Sequence, residues 1–192
     1  SASRCSRMQP KLGILAGGGI LPARLIEFCR LSGRPYFVVA FVGHCDPQTV
    51  VETPHSWFRL GSAGAILDAL HRAAVTDLVM VGFIHRPRLR DIRPDFGGLR
   101  ILGKIWRKFF AGDDALLRAV AGVLEAEGFH VRGIHEVMDG ILAPAGPFGR
   151  VAPDPGGLRD ISEGIKAASE LGSRDVGQSV VVQNGTVVAW EA

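Results

Sequence analysis

Three consecutive glycines, Gly17, Gly18 and Gly19, are the residues of this sequence best suited to contact a phosphate group. They lie between an apolar run, residues 11–16, and a helical pattern over residues 21–31. Residues without a Cβ allow a tight turn and bring backbone N–H groups against a phosphate at the positive end of the following helix. The segment predicts a phosphate or nucleotide diphosphate site, with a simple tight turn as the alternative.

A nicotinamide dinucleotide is not the expected ligand of this loop. The dinucleotide fingerprint has a third glycine where this chain has Pro22. It also has an acidic residue at the end of the second strand, where this chain has Val42, Gly43 and His44. The departures from the fingerprint favour a phosphate site of another kind.

His85 and Arg86 follow a third apolar run, residues 77–83, which is typical of a buried strand. Ligands of open α/β sheets gather beyond the carboxyl ends of the strands, so both side chains are expected in the same crevice as the glycines. A guanidinium suits bidentate contact with phosphate, and we predict that role for Arg86. For His85 alone, a hydrogen-bonded structural role is favoured.

Two pairs of polar residues have either a chemical or a structural interpretation. Asp113 and Asp114 begin a helix and could bind a metal, but a cap and a dipole contact are favoured. His135 and Glu136 fall at the end of a predicted strand, residues 129–137, where they could contact a sugar or hold a metal. A pair without further ligands is weak evidence for a metal, so the metal ligands are unassigned.

Asp175 and Gln178 precede the last predicted hairpin of the chain. They are predicted to turn a carboxylate and an amide towards a cleft between domains, and a capping turn is the alternative. Both are included among the candidate substrate-binding residues.

Apolar runs alternate with helical patterns along most of the chain, which predicts a parallel sheet covered by helices on both faces. The expected fold class is therefore α/β and Rossmann-like, followed by the beginning of a second α/β domain. A hairpin around Asn184-Gly185 is the strongest short turn signal. The expected organisation is a tag or leader at 1–8, a Rossmann-like domain at 9–141, a linker at 142–157 and an incomplete C-terminal domain at 158–192.

The segment from His85 to Lys108 carries a net charge of +6 in a chain whose total is +3. Such clustering favours anionic partners, with a solvated basic face as the alternative. Nucleic acid is not expected, because most aromatic residues of the segment fit a buried helix face rather than exposed stacking platforms. An odd number of cysteines without metal-type spacing favours a reduced, cytoplasmic protein.

Several of these motifs, in this order, resemble the LpxI family of UDP-2,3-diacylglucosamine pyrophosphatases. The resemblance runs from about Lys11 to Ala192. The matching segments are LGILAGGG at 12–19, Leu21-Pro22, Arg86-Pro87, GDDALLR at 112–118, EGF at 127–129, His135-Glu136 and DVGQ at 175–178.

The resemblance implies Mg2+-dependent attack of water on the α-phosphorus of UDP-2,3-diacylglucosamine, giving UMP and 2,3-diacylglucosamine 1-phosphate (lipid X), in lipid A biosynthesis. It implies a homodimer that works in the cytoplasm, peripheral to the inner-membrane surface. It also implies a catalytic aspartate beyond Ala192, so the chain is expected to be a truncated form and its catalytic residues are unknown. The alternative is a non-catalytic module that binds a nucleotide or lipid-linked sugar.

Overall fold

The computed structural model describes residues 9–85, 113–146, 148–174 and 176–191. The chain divides into two compact units, with the boundary between Leu142 and Ala143. Arg86, Asp175 and most of the basic segment lie outside the described residues.

The first unit is built on a five-stranded parallel sheet with strand order β3-β2-β1-β4-β5. This architecture confirms the predicted α/β, Rossmann-like fold class. The strands are β1 (Leu12–Ala16), β2 (Tyr36–Phe41), β3 (His55–Phe58), β4 (Asp77–Val81) and β5 (His130–Val131). The helices are α1 (Leu21–Ser32), α2 (Pro47–Val50), α3 (Ala63–Arg72), α4 (Asp113–Ala126) and α5 (Ile134–Val137).

Both faces of the sheet are buried, which explains why β1 is apolar at consecutive positions rather than at alternate ones. Ile14 points into a core layer that contains Leu25 and Cys29 of α1. Its neighbour Leu15 points into the opposite layer, with Leu70 of α3 and Leu124 of α4 as members. Fully burying a side chain of this size contributes about 1.5–3 kcal/mol. The two layers therefore fix β1 at the centre of the sheet and α1 against one face.

The chain after β5 differs from the sequence prediction. A strand was expected over residues 129–137, but β5 ends at Val131 and α5 begins at Ile134. The cause is local: the side chain of Glu136 accepts a hydrogen bond from the N–H of Gly133, and this cap starts a helical turn. The prediction that His135 and Glu136 close a strand is therefore wrong.

The second unit consists of α6 (Pro155–Ser173) and an antiparallel hairpin of β6 (Val180–Gln183) and β7 (Thr186–Trp190). Asn184 and Gly185 both have positive φ, as a two-residue hairpin turn requires, so the predicted hairpin is confirmed. The carboxylate of Asp160 accepts from both turn N–H groups, at 3.0 Å and 2.6 Å. These bonds hold the helix against the hairpin turn.

None of the helices among the described residues is both long enough and apolar enough to cross a membrane.

Candidate functional site

Three chain segments meet beyond the carboxyl ends of adjacent strands of the first unit. They are residues 17–20 after β1, residues 43–45 after β2 and residues 82–85 after β4. The first and third are joined by an antiparallel backbone bridge between Gly18 and Phe83. The second and third are joined by the N–H of His85, which donates to Nδ1 of His44 at 3.3 Å. We call these three segments the carboxyl-edge site.

Two of the three glycine N–H groups are already hydrogen-bonded within the protein. Gly17 donates to the carbonyl of Val81 and Gly18 donates to the carbonyl of Phe83, both at 2.8 Å. The N–H of Phe83 returns a bond to the carbonyl of Gly18 at 3.1 Å. Both donors are therefore taken within the protein, and the predicted role of Gly17 and Gly18 in binding phosphate stays a prediction.

Backbone donors without a partner among the described residues follow directly, in the two residues before α1 and in its first turn. The N–H groups of Gly19, Ile20, Leu21 and Ala23 have no hydrogen-bond partner among the described residues. Ile20 is the N-cap and provides no side-chain cap, and Pro22 has no N–H to offer. An anion at this edge would meet these donors and the positive end of the α1 dipole.

The glycines at 17 and 18 have a different structural purpose, which is to let the chain leaving β4 cross close to the loop. A Cβ at Gly17 would lie 2.5 Å from the carbonyl oxygen of Phe83, and one at Gly18 would lie 2.7 Å from the Phe83 ring. Gly19 adopts φ +90°, which side chains rarely allow. The close approach of the chain after β4 explains why residues 17 and 18 are glycines better than direct contact with phosphate does.

An aromatic and two imidazole rings border the glycine loop. Phe83 is 55% exposed although its ring packs beside Gly18 and Gly19. Its ring meets that of His85 edge-on, with centroids 5.1 Å apart, and the rings of His44 and His85 are 6.1 Å apart. Burial, and to a smaller extent the nearby His85, lowers the pKa of His44 below its ordinary value. The ring of His44 is therefore neutral at neutral pH and can form hydrogen bonds.

The position of His85 beyond the end of β4 was predicted from the sequence, whereas His44 was not selected. The available signal was its position: His44 follows the second strand, near the place where the dinucleotide fingerprint has its acidic residue. Its contact with His85 depends on the sheet order and is not visible in the sequence.

His135 and Glu136 lie in α5 and are exposed. Glu136 uses one carboxylate oxygen to cap the helix, at 2.8 Å from the nitrogen of Gly133, and the other lies 3.5 Å from Arg132. The hydrogen bond from Gly133 is the main cause of the lowered pKa of Glu136, and Arg132 contributes less. This carboxylate is engaged structurally, and its predicted contact with substrate stays a prediction.

Gln178 belongs to the second unit and is exposed. It borders an open groove of about 460 Å³ between α6 and the hairpin, with Asp160, Gly164 and Val180 among the lining residues. Its N–H lies 3.4 Å from a carboxylate oxygen of Glu191. Asp175, predicted to act beside it, and Arg86, predicted to bind phosphate, lie outside the described residues.

The part of the chain that the structure describes contains no group of three or more histidine, cysteine, aspartate or glutamate residues placed to hold a metal ion. The described residues therefore do not fit a complete Mg2+ site.

The sheet order and the helices packed on both faces of the sheet define a doubly wound α/β protein. Two family models assign it more narrowly: the LpxI N-terminal domain matches residues 11–141 and the LpxI C-terminal domain matches residues 144–192. The chain belongs to the LpxI family.

A curated relative from Caulobacter vibrioides, the UDP-2,3-diacylglucosamine pyrophosphatase LpxI, is 37% identical over 182 residues. The match covers 95% of this chain and 65% of the relative. The chain thus spans about two thirds of that protein's length.

Two solved structures of the Bordetella bronchiseptica enzyme WbmG are similar at the level of a shared α/β core. The complex with NAD has a TM-score of 0.43 at 15% identity, covering 67% of this chain and 38% of WbmG. The complex with NAD and UDP has a TM-score of 0.40 at 17% identity, covering 64% and 36%. Neither likeness bears on which ligand this chain binds.

Proposed function

We propose that the protein hydrolyses the pyrophosphate bond of UDP-2,3-diacylglucosamine, giving UMP and 2,3-diacylglucosamine 1-phosphate, a step of lipid A biosynthesis. The observation that carries the proposal is the 37% identity, over 95% of this chain, to a protein named for that activity. The match to both LpxI domain models in their proper order supports it. The activity is a proposal because the chain spans 65% of that relative.

The carboxyl-edge site suits the nucleotide diphosphate part of such a substrate. The N–H groups of Gly19, Ile20, Leu21 and Ala23, which have no partner within the described part of the chain, are donors for phosphate oxygens. Arg86, by its place in the sequence directly after His85, would add a guanidinium. In this proposal, the described residues of the first unit bind and orient the substrate.

Mg2+ is part of the proposal through the family resemblance alone. When bound to a pyrophosphate, a divalent ion neutralises charge and lowers the pKa of a bound water. The described residues offer no cluster of three ligands for it, so we assign it no step and no ligand.

The test is release of UMP from UDP-2,3-diacylglucosamine by the product of the complete gene. We expect UMP and 2,3-diacylglucosamine 1-phosphate in equal amounts with Mg2+, and none after chelation with EDTA. A preparation that binds UDP and releases no UMP with any divalent ion would contradict the proposal.

That last outcome is the one expected of a second candidate, a non-catalytic module that binds a nucleotide or lipid-linked sugar. This candidate requires only the binding groups at the start of α1, the N–H groups of Gly19, Ile20, Leu21 and Ala23 that have no partner among the described residues. Binding of UDP measured by calorimetry, together with the UMP assay, separates the two candidates.

We also propose a homodimer that works in the cytoplasm at the surface of the inner membrane. The net charge of +6 on residues 85–108 supports attraction to anionic headgroups. Sedimentation with anionic vesicles at low salt, and loss of that sedimentation at high salt, would test the membrane contact. Sedimentation equilibrium would test the dimer.

A further inference from the structure

His44 occupies a position that the topology of a doubly wound sheet makes special. It follows β2, the strand beside β1, and its carbonyl oxygen would lie 3.0 Å from a Cβ at Gly18. When a phosphate binds at the start of the helix after β1, the residue at the end of β2 meets the ribose of the same nucleotide. The usual residue there is an acid, and this chain has a histidine.

The hydrogen bond that His44 makes within the protein determines what its ring offers to a ligand. The N–H of His85 donates to Nδ1, so Nδ1 is an acceptor and the proton of the neutral ring is on Nε2. Nε2 has no hydrogen-bond partner among the described residues. The ring therefore presents a single N–H donor, which a ribose hydroxyl oxygen can accept.

We infer that His44 is a specificity-determining residue that donates a hydrogen bond from Nε2 to the 2′-hydroxyl of the bound nucleotide. This inference rests on the proposed function, since it requires a nucleotide at the carboxyl-edge site. The lowered pKa of His44 agrees with this inference, because a neutral ring is better suited to bind a hydroxyl than to bind an anion. Recognition of the 2′-hydroxyl separates a ribonucleotide from its deoxy counterpart.

The experiment compares the affinities of UDP and 2′-deoxy-UDP by calorimetry, for the wild-type protein and three variants. We expect the wild type to prefer UDP roughly 2- to 10-fold, the range that a single hydrogen bond supplies. His44→Phe keeps a ring of similar size without the donor and is expected to bind both nucleotides equally. His44→Gln places an amide N–H near the position of Nε2 and is expected to restore part of the preference.

The matched control is His71→Phe. His71 is exposed on α3, where its ring stacks on Phe129 at 4.8 Å, and it lies outside the carboxyl-edge site. This variant is expected to keep the full preference for UDP, which shows that loss of a histidine elsewhere has no effect.

The outcomes separate the inference from the function on which it rests. A wild type that binds neither nucleotide refutes both. A wild type that binds UDP, together with a His44→Phe variant whose preference for UDP is unchanged, refutes the role of His44 and leaves the proposed function standing. Equal weakening of both nucleotides by His44→Phe also refutes it, since that pattern indicates a contact with phosphate.

Discussion

Replacing Gly17 with alanine would place a methyl group where the chain leaving β4 crosses the glycine loop. The added Cβ would lie 2.5 Å from the carbonyl oxygen of Phe83 and 3.1 Å from the carbonyl carbon of Gly82. Both neighbours are backbone atoms, so no side-chain rotation relieves the collision. The φ of Gly17 is not positive, so alanine is not strained there by its own conformation. The expected effect is separation of the loop from the chain after β4.

The magnitude follows from the bridge that this separation would break. Gly18 and Phe83 exchange two backbone hydrogen bonds, of 2.8 Å and 3.1 Å. Each contributes about 1 kcal/mol net, so their loss lowers the free energy of unfolding by about 2 kcal/mol. Overpacking of a close contact typically costs about 1–3 kcal/mol, a range that includes this value of about 2 kcal/mol.

Urea unfolding followed by circular dichroism measures this change. With a denaturant slope of about 2 kcal/mol per molar urea, a loss of about 2 kcal/mol moves the midpoint down by about 1 M. Gly122→Ala is the control, because Gly122 lies in α4 and a Cβ there meets nothing within 4 Å. Alanine is favoured over glycine inside a helix by about 1 kcal/mol, so the control midpoint should rise.

A Gly17→Ala midpoint equal to that of the wild type, with Gly122→Ala raised as expected, would refute the reasoning. It would mean that the loop and the chain after β4 separate at no cost, and that the Gly18–Phe83 bridge does not shape the site.

Two further predictions concern ionised groups away from the glycine loop. Asp77 is 7% exposed and accepts a hydrogen bond from the guanidinium of Arg34 at 2.8 Å. Asp77→Asn should therefore lower the free energy of unfolding, measured in urea, by about 3 kcal/mol. The control is Glu27→Gln, at an exposed ion pair with Arg30, which should change it by less than about 1 kcal/mol. Because the N–H of Gly133 lowers the pKa of Glu136, this carboxylate stabilises the fold above the ordinary pKa of 4.5, and the stabilisation is lost as the pH falls through the lowered value. At neutral pH, the urea midpoint of the wild type should therefore be higher than that of Glu136→Gln. Well below pH 4.5, the two midpoints should be equal. Equal midpoints at neutral pH would contradict the assigned cap.

The central strands could be predicted from the sequence because they are buried on both faces and therefore apolar throughout. β3 could not be predicted, because its sequence, HSWF at 55–58, contains two polar residues. This segment is a strand only because it pairs with β2. β5 was predicted too long, because the pattern continues into residues 134–137 while Gly133 and Glu136 start a helical turn.

The sequence predicted the positions of the glycine loop and His85 after their strands, but not the contacts that these residues make. The glycine loop lies at the carboxyl end of β1, as the pattern indicated, and its ligand remains a prediction. The partners of Gly17 and Gly18 are Val81 and Phe83, more than sixty positions away, and only the register of β1 against β4 brings them together. His44 was not selected for a similar reason, because its contact with His85 depends on the order of the strands in the sheet.

The most direct test of the carboxyl-edge site is titration of 15N-labelled protein with UDP, followed through backbone amide signals. We expect the signals of Gly19, Ile20, Leu21 and Ala23 to shift, while the N–H groups of Gly17 and Gly18 stay protected from exchange with solvent. If UDP binds and these four signals do not move, the nucleotide lies elsewhere and the account is contradicted.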